Sequence, residues 1–447
     1  MHFATVCLFP DVIMSLPAVL RQGGTKGRWY RPGAVAAPGR LTWKGGTMVS
    51  HLSSRGKSFW ISLGVIFLTQ SFFALYILYP TVLKDQGFSL GFTGFLMSVF
   101  NICSTLGRPF GARFTERIGT RKSLAWTSGI VAGISVLPAF TENPLLLLAI
   151  RGMSGAFWGI SMVAITSYQG LAIPEEERGG AYSWISVAYI LPQVTVFPLA
   201  DWFVSAGRLP AFFLLGAVVE AAIVGAVIPL PPVREPEARK NEPAWGALRE
   251  LPGVPGFMPV LCTMVLFTFV NASTLQYLPV CLSERGYPAS VFIVPNALAA
   301  VIFRLVAFRV MDRIRRREAI GPVIASLGLV LAFLPFLPGR GWYAGAGLAY
   351  GVVLGMCFPI LLALMPDVFP EHLRPKGISL CLFAMDLGFI LSPFFQGYGG
   401  EIFSLSVMLS VTGILGAAGG VLLHASWRRV LARDLAGSGL DKGDGRT

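Results

Sequence analysis

The sequence predicts an all-α integral membrane protein with twelve transmembrane helices, arranged as two pseudo-symmetric six-helix bundles. Three observations carry this expectation. The composition is too apolar for a soluble chain, twelve segments are long enough to cross a bilayer, and the second half repeats the first.

Of 447 residues, 54% are hydrophobic and 13% charged, and the mean hydropathy is +0.65. Soluble domains carry about 25% charged residues, and a soluble two-domain protein of this length would lack the polar surface it needs. The net charge of +13 would raise nucleic-acid binding for a soluble chain, but its distribution points to a membrane instead. The six cysteines (Cys7, Cys103, Cys262, Cys281, Cys357, Cys381) are scattered without C-x-x-C or metal-ligand spacing, so they read as small buried residues. There is no GxxxxGK[ST] loop, nucleotide fingerprint or Ser/His/Asp set. No cofactor, metal or enzymatic activity is therefore expected, and no nucleic-acid partner.

A helical span needs about 20 mostly apolar residues. The twelve candidates cover residues 59–79, 90–110, 124–140, 144–173, 183–203, 210–230, 257–280, 289–311, 319–337, 342–365, 378–398 and 404–424. Outside residues 1–47, 25 Lys and Arg lie in or beside the leading segment, the even-numbered loops and the tail. Only Lys84, Arg208, Arg285 and Arg340 lie in the odd-numbered loops. By the positive-inside rule both termini are cytoplasmic. Residues 1–47 are rich in Gly, Pro and Arg and lack a signal peptide's basic start; they read as a disordered extension, or as upstream of a true start at Met48. The expected organisation is a bundle over 48–230, a cytoplasmic linker over 231–256, a second bundle over 257–424 and a cytoplasmic tail over 425–447.

The halves echo each other at an offset of 196, since Arg108, Arg113, Glu116, Arg117 and Ile118 align with Arg304, Arg309, Asp312, Arg313 and Ile314. Gly155 and Gly159 align with Gly351 and Gly355, and "PEEER" at Pro174 with "PEHLR" at Pro370. Matches in this order argue for duplication of a six-helix unit.

Two parallel six-helix halves with these motifs resemble the major facilitator superfamily, over residues 59 to 424. Its signature between helices two and three is roughly Gly-x3-Asp-Arg-x-Gly-Arg-Arg/Lys. Here Ala112 stands at the first glycine, followed by Glu116, Arg117, Gly119, Arg121 and Lys122. The resemblance implies a latch that closes the cytoplasmic ends of the two halves, formed by Glu116, Arg117, Gly119 and Arg121, with Asp312 and Arg313 as the second-half copy. Helix five departs from the family's exporter pattern: Pro198 is kept, but Phe197 and Asp201 replace glycines. Helix eleven has the matching "SPFFQG" at Pro393, and "RPF" at Arg108 with "RG" at Arg178–Gly179 looks like the efflux-permease branch.

Charges inside spans are costly and usually functional. Arg151, with Gly155 four residues on, resembles the family's helix-four motif, tied there to proton coupling or substrate anions; a structural ion pair fits as well. Asp386 lies midway along the eleventh segment and is the expected titratable coupling group or cation-substrate anchor; a side chain capping a backbone group freed at Gly388 and Pro393 fits as well. Glu220 in the sixth segment reads as structural, and Asp201 as solvated. Gln70, Trp158, Asn271, Gln276 and Tyr350 sit on the first, fourth, seventh and tenth segments, which line the cavity in the family. The resulting expectation is a monomeric secondary transporter of the inner membrane. It would export a small organic solute against protons, with uptake by symport, or a sensor that moves nothing, as the alternatives.

Overall fold

The structure, a computed structural model, describes residues 56–173, 178–233, 248–306 and 314–440. The proposed extension over 1–47 lies outside the described residues, as do Asp312 and Arg313. Eleven helices among the described residues are long and apolar enough to cross a membrane, and Ser290–Val306 is a shorter apolar twelfth. The first bundle is α1 (Lys57–Asp85), α2 (Leu90–Ile118), α3 (Thr120–Phe140), α4 (Pro144–Ala172), α5 (Arg178–Ile190 and Pro192–Ser205) and α6 (Leu209–Val227). The second is α7 (Phe257–Glu284), α8 (Ser290–Val306), α9 (Arg316–Phe336), α10 (Arg340–Val368), α11 (Arg374–Ile402) and α12 (Leu405–Leu440). The start of α1, the α2–α3 turn and the connection between bundles mark one end of the molecule, here the linker end. The α1–α2, α7–α8 and α11–α12 turns mark the far end.

Local chemistry sets the turns. Asn143 caps α4, its Oδ1 accepting from Leu145 N at 2.9 Å and Leu146 N at 3.3 Å, with Pro144 at the first helical position. Gly119 alone separates α2 from α3, at φ +89° and ψ 151°. That region is essentially closed to residues with a Cβ, which explains the glycine inside the signature loop. Pro192 has no N–H to donate, and α5 breaks at Leu191.

Packing reproduces the repeat. A Cβ on Gly155 or Gly159 would collide with the carbonyl oxygens of Phe100 or Ser104, so α4 lies directly against α2. Gly351 and Gly355 meet the carbonyls of Asn296 and Ala300 in the same way, placing α10 on α8. Each contact in the second bundle is 196 residues beyond its counterpart in the first, on both helices. Small residues let backbones approach where lipid supplies no hydrophobic drive between helices. Of the residues expected as a tail, 425–440 continue α12 instead, with Trp427 wholly buried and its Nε1 donating to Thr263 Oγ1 of α7 at 3.3 Å; residues 441–447 lie outside the described residues.

Gly351→Ala should lower the thermal midpoint of the purified protein, by an overpacking cost of about 1–3 kcal/mol. Gly225→Ala, where an added Cβ meets nothing within 4 Å, should leave it unchanged. Equal midpoints for the two variants would contradict the packing role.

Candidate functional site

The bundles meet along a seam made chiefly by α2 against α11, with α8 against α5 and α7 against the far-end part of α1. Gly94 and Gly397 let α2 and α11 touch backbone to backbone, since a Cβ on either would overlap the other helix. Three side chains then tie the helices together. Ser98 Oγ donates to Ile390 O at 2.8 Å and Asn101 Nδ2 to Phe389 O at 3.2 Å. Two turns further on, Arg108 Nη1 donates to Asp386 Oδ2 at 2.5 Å. The side chains of this pair are 6% and 13% exposed. Asp386 was singled out from the sequence. Its partner was not: Arg108 had been read only as branch texture and as one member of the Arg108/Arg304 echo.

The far end is sealed by acids from both halves. Glu401, at the end of α11, accepts from Gly91 N in the first turn of α2 at 2.8 Å. Asp201 of α5 accepts from Ala289 N at 3.2 Å and Ser290 N at 2.8 Å, at the start of α8. Helix N-termini favour exactly such carboxylates through their free N–H groups and dipole. Lys84 pairs with Glu284 between the ends of α1 and α7. Asp201 is thus 4% exposed and bonded, not solvated. No sequence pattern marks this, because its partners are backbone groups of the other half.

Towards the linker end, beyond Arg108–Asp386, the described ion pairs lie within one half, as His372–Glu250 and Arg315–Glu318 do. Glu116 and Arg117 are exposed there. Arg121 Nη2 instead donates to Ile228 O at the end of α6, within its own half, at 2.9 Å. In the second half Arg316 pairs with Asp367 of α10 at 2.6 Å, and Arg317 Nη2 donates to Asp367 O at 3.0 Å. Asp367 is a site residue the sequence reading missed.

Arg151 lies in the second turn of α4, nearer the far end than the middle of the bundle. It is 3% exposed and stacked among Phe100 (4.1 Å), Tyr76 (4.7 Å) and Tyr79 (5.2 Å). Its Nε and Nη1 have no hydrogen-bond partner, and Nη2 reaches only Met97 Sδ at 3.6 Å. Each cation–π contact offsets about 0.5–2 kcal/mol of desolvation. Arg151 and Asp386 are not brought together. Gln70 and Trp158 are neighbours: Gln70 Nε2 faces Met162 Sδ at 3.6 Å, and Trp158 Nε1 donates to Thr69 O at 3.4 Å. Tyr350 is fully buried and donates to Thr274 Oγ1 of α7 at 3.2 Å, a packing contact within the second half. Asn271 and Gln276 are buried on α7, with Oδ1 and Oε1 unpartnered. Glu220 is 2% exposed on α6, away from the seam.

Two helical bundles that meet on a polar intramembrane seam, with cross-half bonds sealing one end, have the architecture of a carrier of small solutes. The chain belongs to the Major Facilitator Superfamily, whose profile matches residues 60–393 and 297–439. It is a multi-pass membrane transporter and not an enzyme. Among its relatives, a putative metabolite transport protein of Bacillus subtilis, YwtG, is 22% identical over 69% of this chain and 77% of its own length. The gallate transporter of Pseudomonas putida is 23% identical over 74% and 81%. A probable actinorhodin transporter of Streptomyces coelicolor is 25% identical over 81% of this chain and 60% of its own. The fold is that of the D-xylose-proton symporter, with a TM-score of 0.64 at 18% identity over 82% of this chain and 96% of that one. The nucleoside transporter NupG gives 0.63 at 16% identity over 83% and 99%.

Arg108→Met and Asp386→Asn should each destabilise the protein, because removing one partner of a buried pair costs about 3–5 kcal/mol. The exchanged pair, Arg108→Asp with Asp386→Arg, should recover a large part of that loss. Thermal melts in which the double variant is no better than the sum of its singles would contradict a direct pairing.

Proposed function

We propose that this protein is a proton-coupled secondary transporter that exports a small organic solute by alternating access. The observation that carries the reading is the Arg108–Asp386 pair. It is the one ion pair among the described residues that spans the two halves within the membrane. An ionised Asp386 holds α11 to α2 through Arg108. When Asp386 takes up a proton, the charge attraction is lost, and at this level of the seam the hydrogen bonds of Ser98 and Asn101 and the glycine contact remain. A proton bound there biases the balance between two arrangements of the halves, which is all that coupling requires.

The two ends supply the alternation. In this arrangement the carboxylate caps and the Lys84–Glu284 pair close the far end, and the Glu116–Arg117 latch stands disengaged. In the opposite arrangement the caps separate and the latch closes the linker end. The distribution of Lys and Arg supports a cytoplasmic linker end, with both termini inside and the protein in the inner membrane as a monomer. Gln70, Trp158, Asn271 and Gln276 are the candidates for the surroundings of the central path, with Tyr350 supporting α7 by packing, and Arg151, enclosed among Phe100, Tyr76 and Tyr79, is a charge that a change in helix packing would uncover. Export follows the resemblance of "RPF" at Arg108 and "RG" at Arg178–Gly179 to the efflux-permease branch.

The test is flux in proteoliposomes with an imposed pH gradient. The wild-type protein should move a solute against its gradient when protons flow the other way. Asp386→Asn should retain solute exchange at equal concentrations and lose the response to the pH gradient. An unchanged pH response in that variant would remove Asp386 from coupling, and solute moving along with protons would reverse the direction to uptake.

A further inference from the structure

Resting on that transporter reading, we infer that the solute is an organic anion and that Arg304 of α8 is its anchor. Arg108 lies four residues after Ser104, whose carbonyl faces Gly159; Arg304 lies four residues after Ala300, whose carbonyl faces Gly355. The two arginines therefore occupy equivalent places, one on each seam. Arg108 has a carboxylate opposite it, supplied by α11 of the other half. The helix equivalent to α11 is α5, which packs against α8. Counting 196 back from Asp386 gives Ile190, the last residue of the first α5 segment.

The second seam thus has the cation without the acid. Arg304 meets no carboxylate among the described residues. Its guanidinium lies over the Phe358 ring of α10, 5.3 Å from the centroid, and its Nε is buried without a hydrogen-bond partner. Arg108 Nε is unpartnered as well; what sets Arg304 apart is that an aromatic ring and no described acid lies against its guanidinium. Arg304 is half-buried. A carboxylate or similar oxyanion on the solute can therefore take the place that Asp386 takes at the first seam. Arg binds such groups through two parallel N–H donors, and the neighbouring aromatic ring suits a flat solute body.

The test uses the full chain in detergent and follows its thermal midpoint against paired probes. Benzoate, 3,4,5-trihydroxybenzoate and succinate are each compared with the corresponding amide, alongside xylose and methyltriphenylphosphonium. At least one carboxylate should raise the midpoint while its amide does not. Its affinity should fall by at least about tenfold in Arg304→Met, the loss expected for a charged hydrogen bond, and by less in Arg304→Lys. Ile190→Asp, which leaves Arg304 in place and supplies the missing acid from the chain, should also abolish carboxylate binding. Stabilisation by xylose or the phosphonium with none by any carboxylate overturns the anion assignment and leaves the transporter reading standing. Undiminished carboxylate binding in folded Arg304→Met and Ile190→Asp overturns the anchor. If no probe binds and none moves in proteoliposomes, the transporter reading falls and this inference with it.

Discussion

The buried Arg108–Asp386 pair is the interaction on which the functional architecture depends. Two charges taken out of water are tolerated only when each satisfies the other. This pair achieves that by recruiting one member from each half of the molecule. Neither bundle can keep its charge comfortable alone, so the state of the seam and the ionisation of Asp386 are tied together. The glycine contacts Gly94–Gly397 make the geometry possible by letting α2 and α11 approach without intervening side chains. The ion pair then sits at the end of that close approach.

Each end of the molecule uses a different kind of bond. At the far end, Glu401 and Asp201 hold backbone N–H groups at the starts of α2 and α8 in the opposite half. Such caps are strong when formed and leave only solvent-accessible groups when broken, as a surface that must open repeatedly requires. At the linker end, the arginines are held within their own halves, Arg121 by Ile228 O and Arg316 by Asp367. Glu116 and Arg117 are exposed at the same end.

Most of the fold was legible in the sequence, because the signals are long and physical. Apolar spans, the Lys/Arg asymmetry and the 196-residue echo survive uncertainty in any one residue. The glycine echo proved sharper than expected, since Gly155/Gly351 and Gly159/Gly355 mark the same helix crossings. The site was legible only in part. Asp386 stood out as a charge in an apolar helix, whereas its partner hid in a motif read as topology. Asp201 and Glu401 bond to backbone atoms of distant helices, and backbone acceptance leaves no side-chain pattern to find. Tyr350 looked like a cavity residue and is a packing residue, because helix number alone does not say which face a side chain occupies. The extension of α12 past residue 424 was missed because Trp427 reads as the start of a basic tail until its burial against α7 is seen.

The central claim is that the halves alternate, one end closing as the other opens, with Asp386 setting the balance. It is tested most directly by spin-label distances on the full chain in lipid. One label pair would sit at exposed Lys122 and Glu371 on the linker end, and a second at exposed Asp85 and Arg340 on the far end. Neutralising Asp386, by acid or by Asp386→Asn, should change the populations at both ends in opposite senses. The linker-end distance should shorten in whatever fraction of molecules the far-end distance lengthens. Distances that stay fixed at both ends, or that lengthen together, would contradict it.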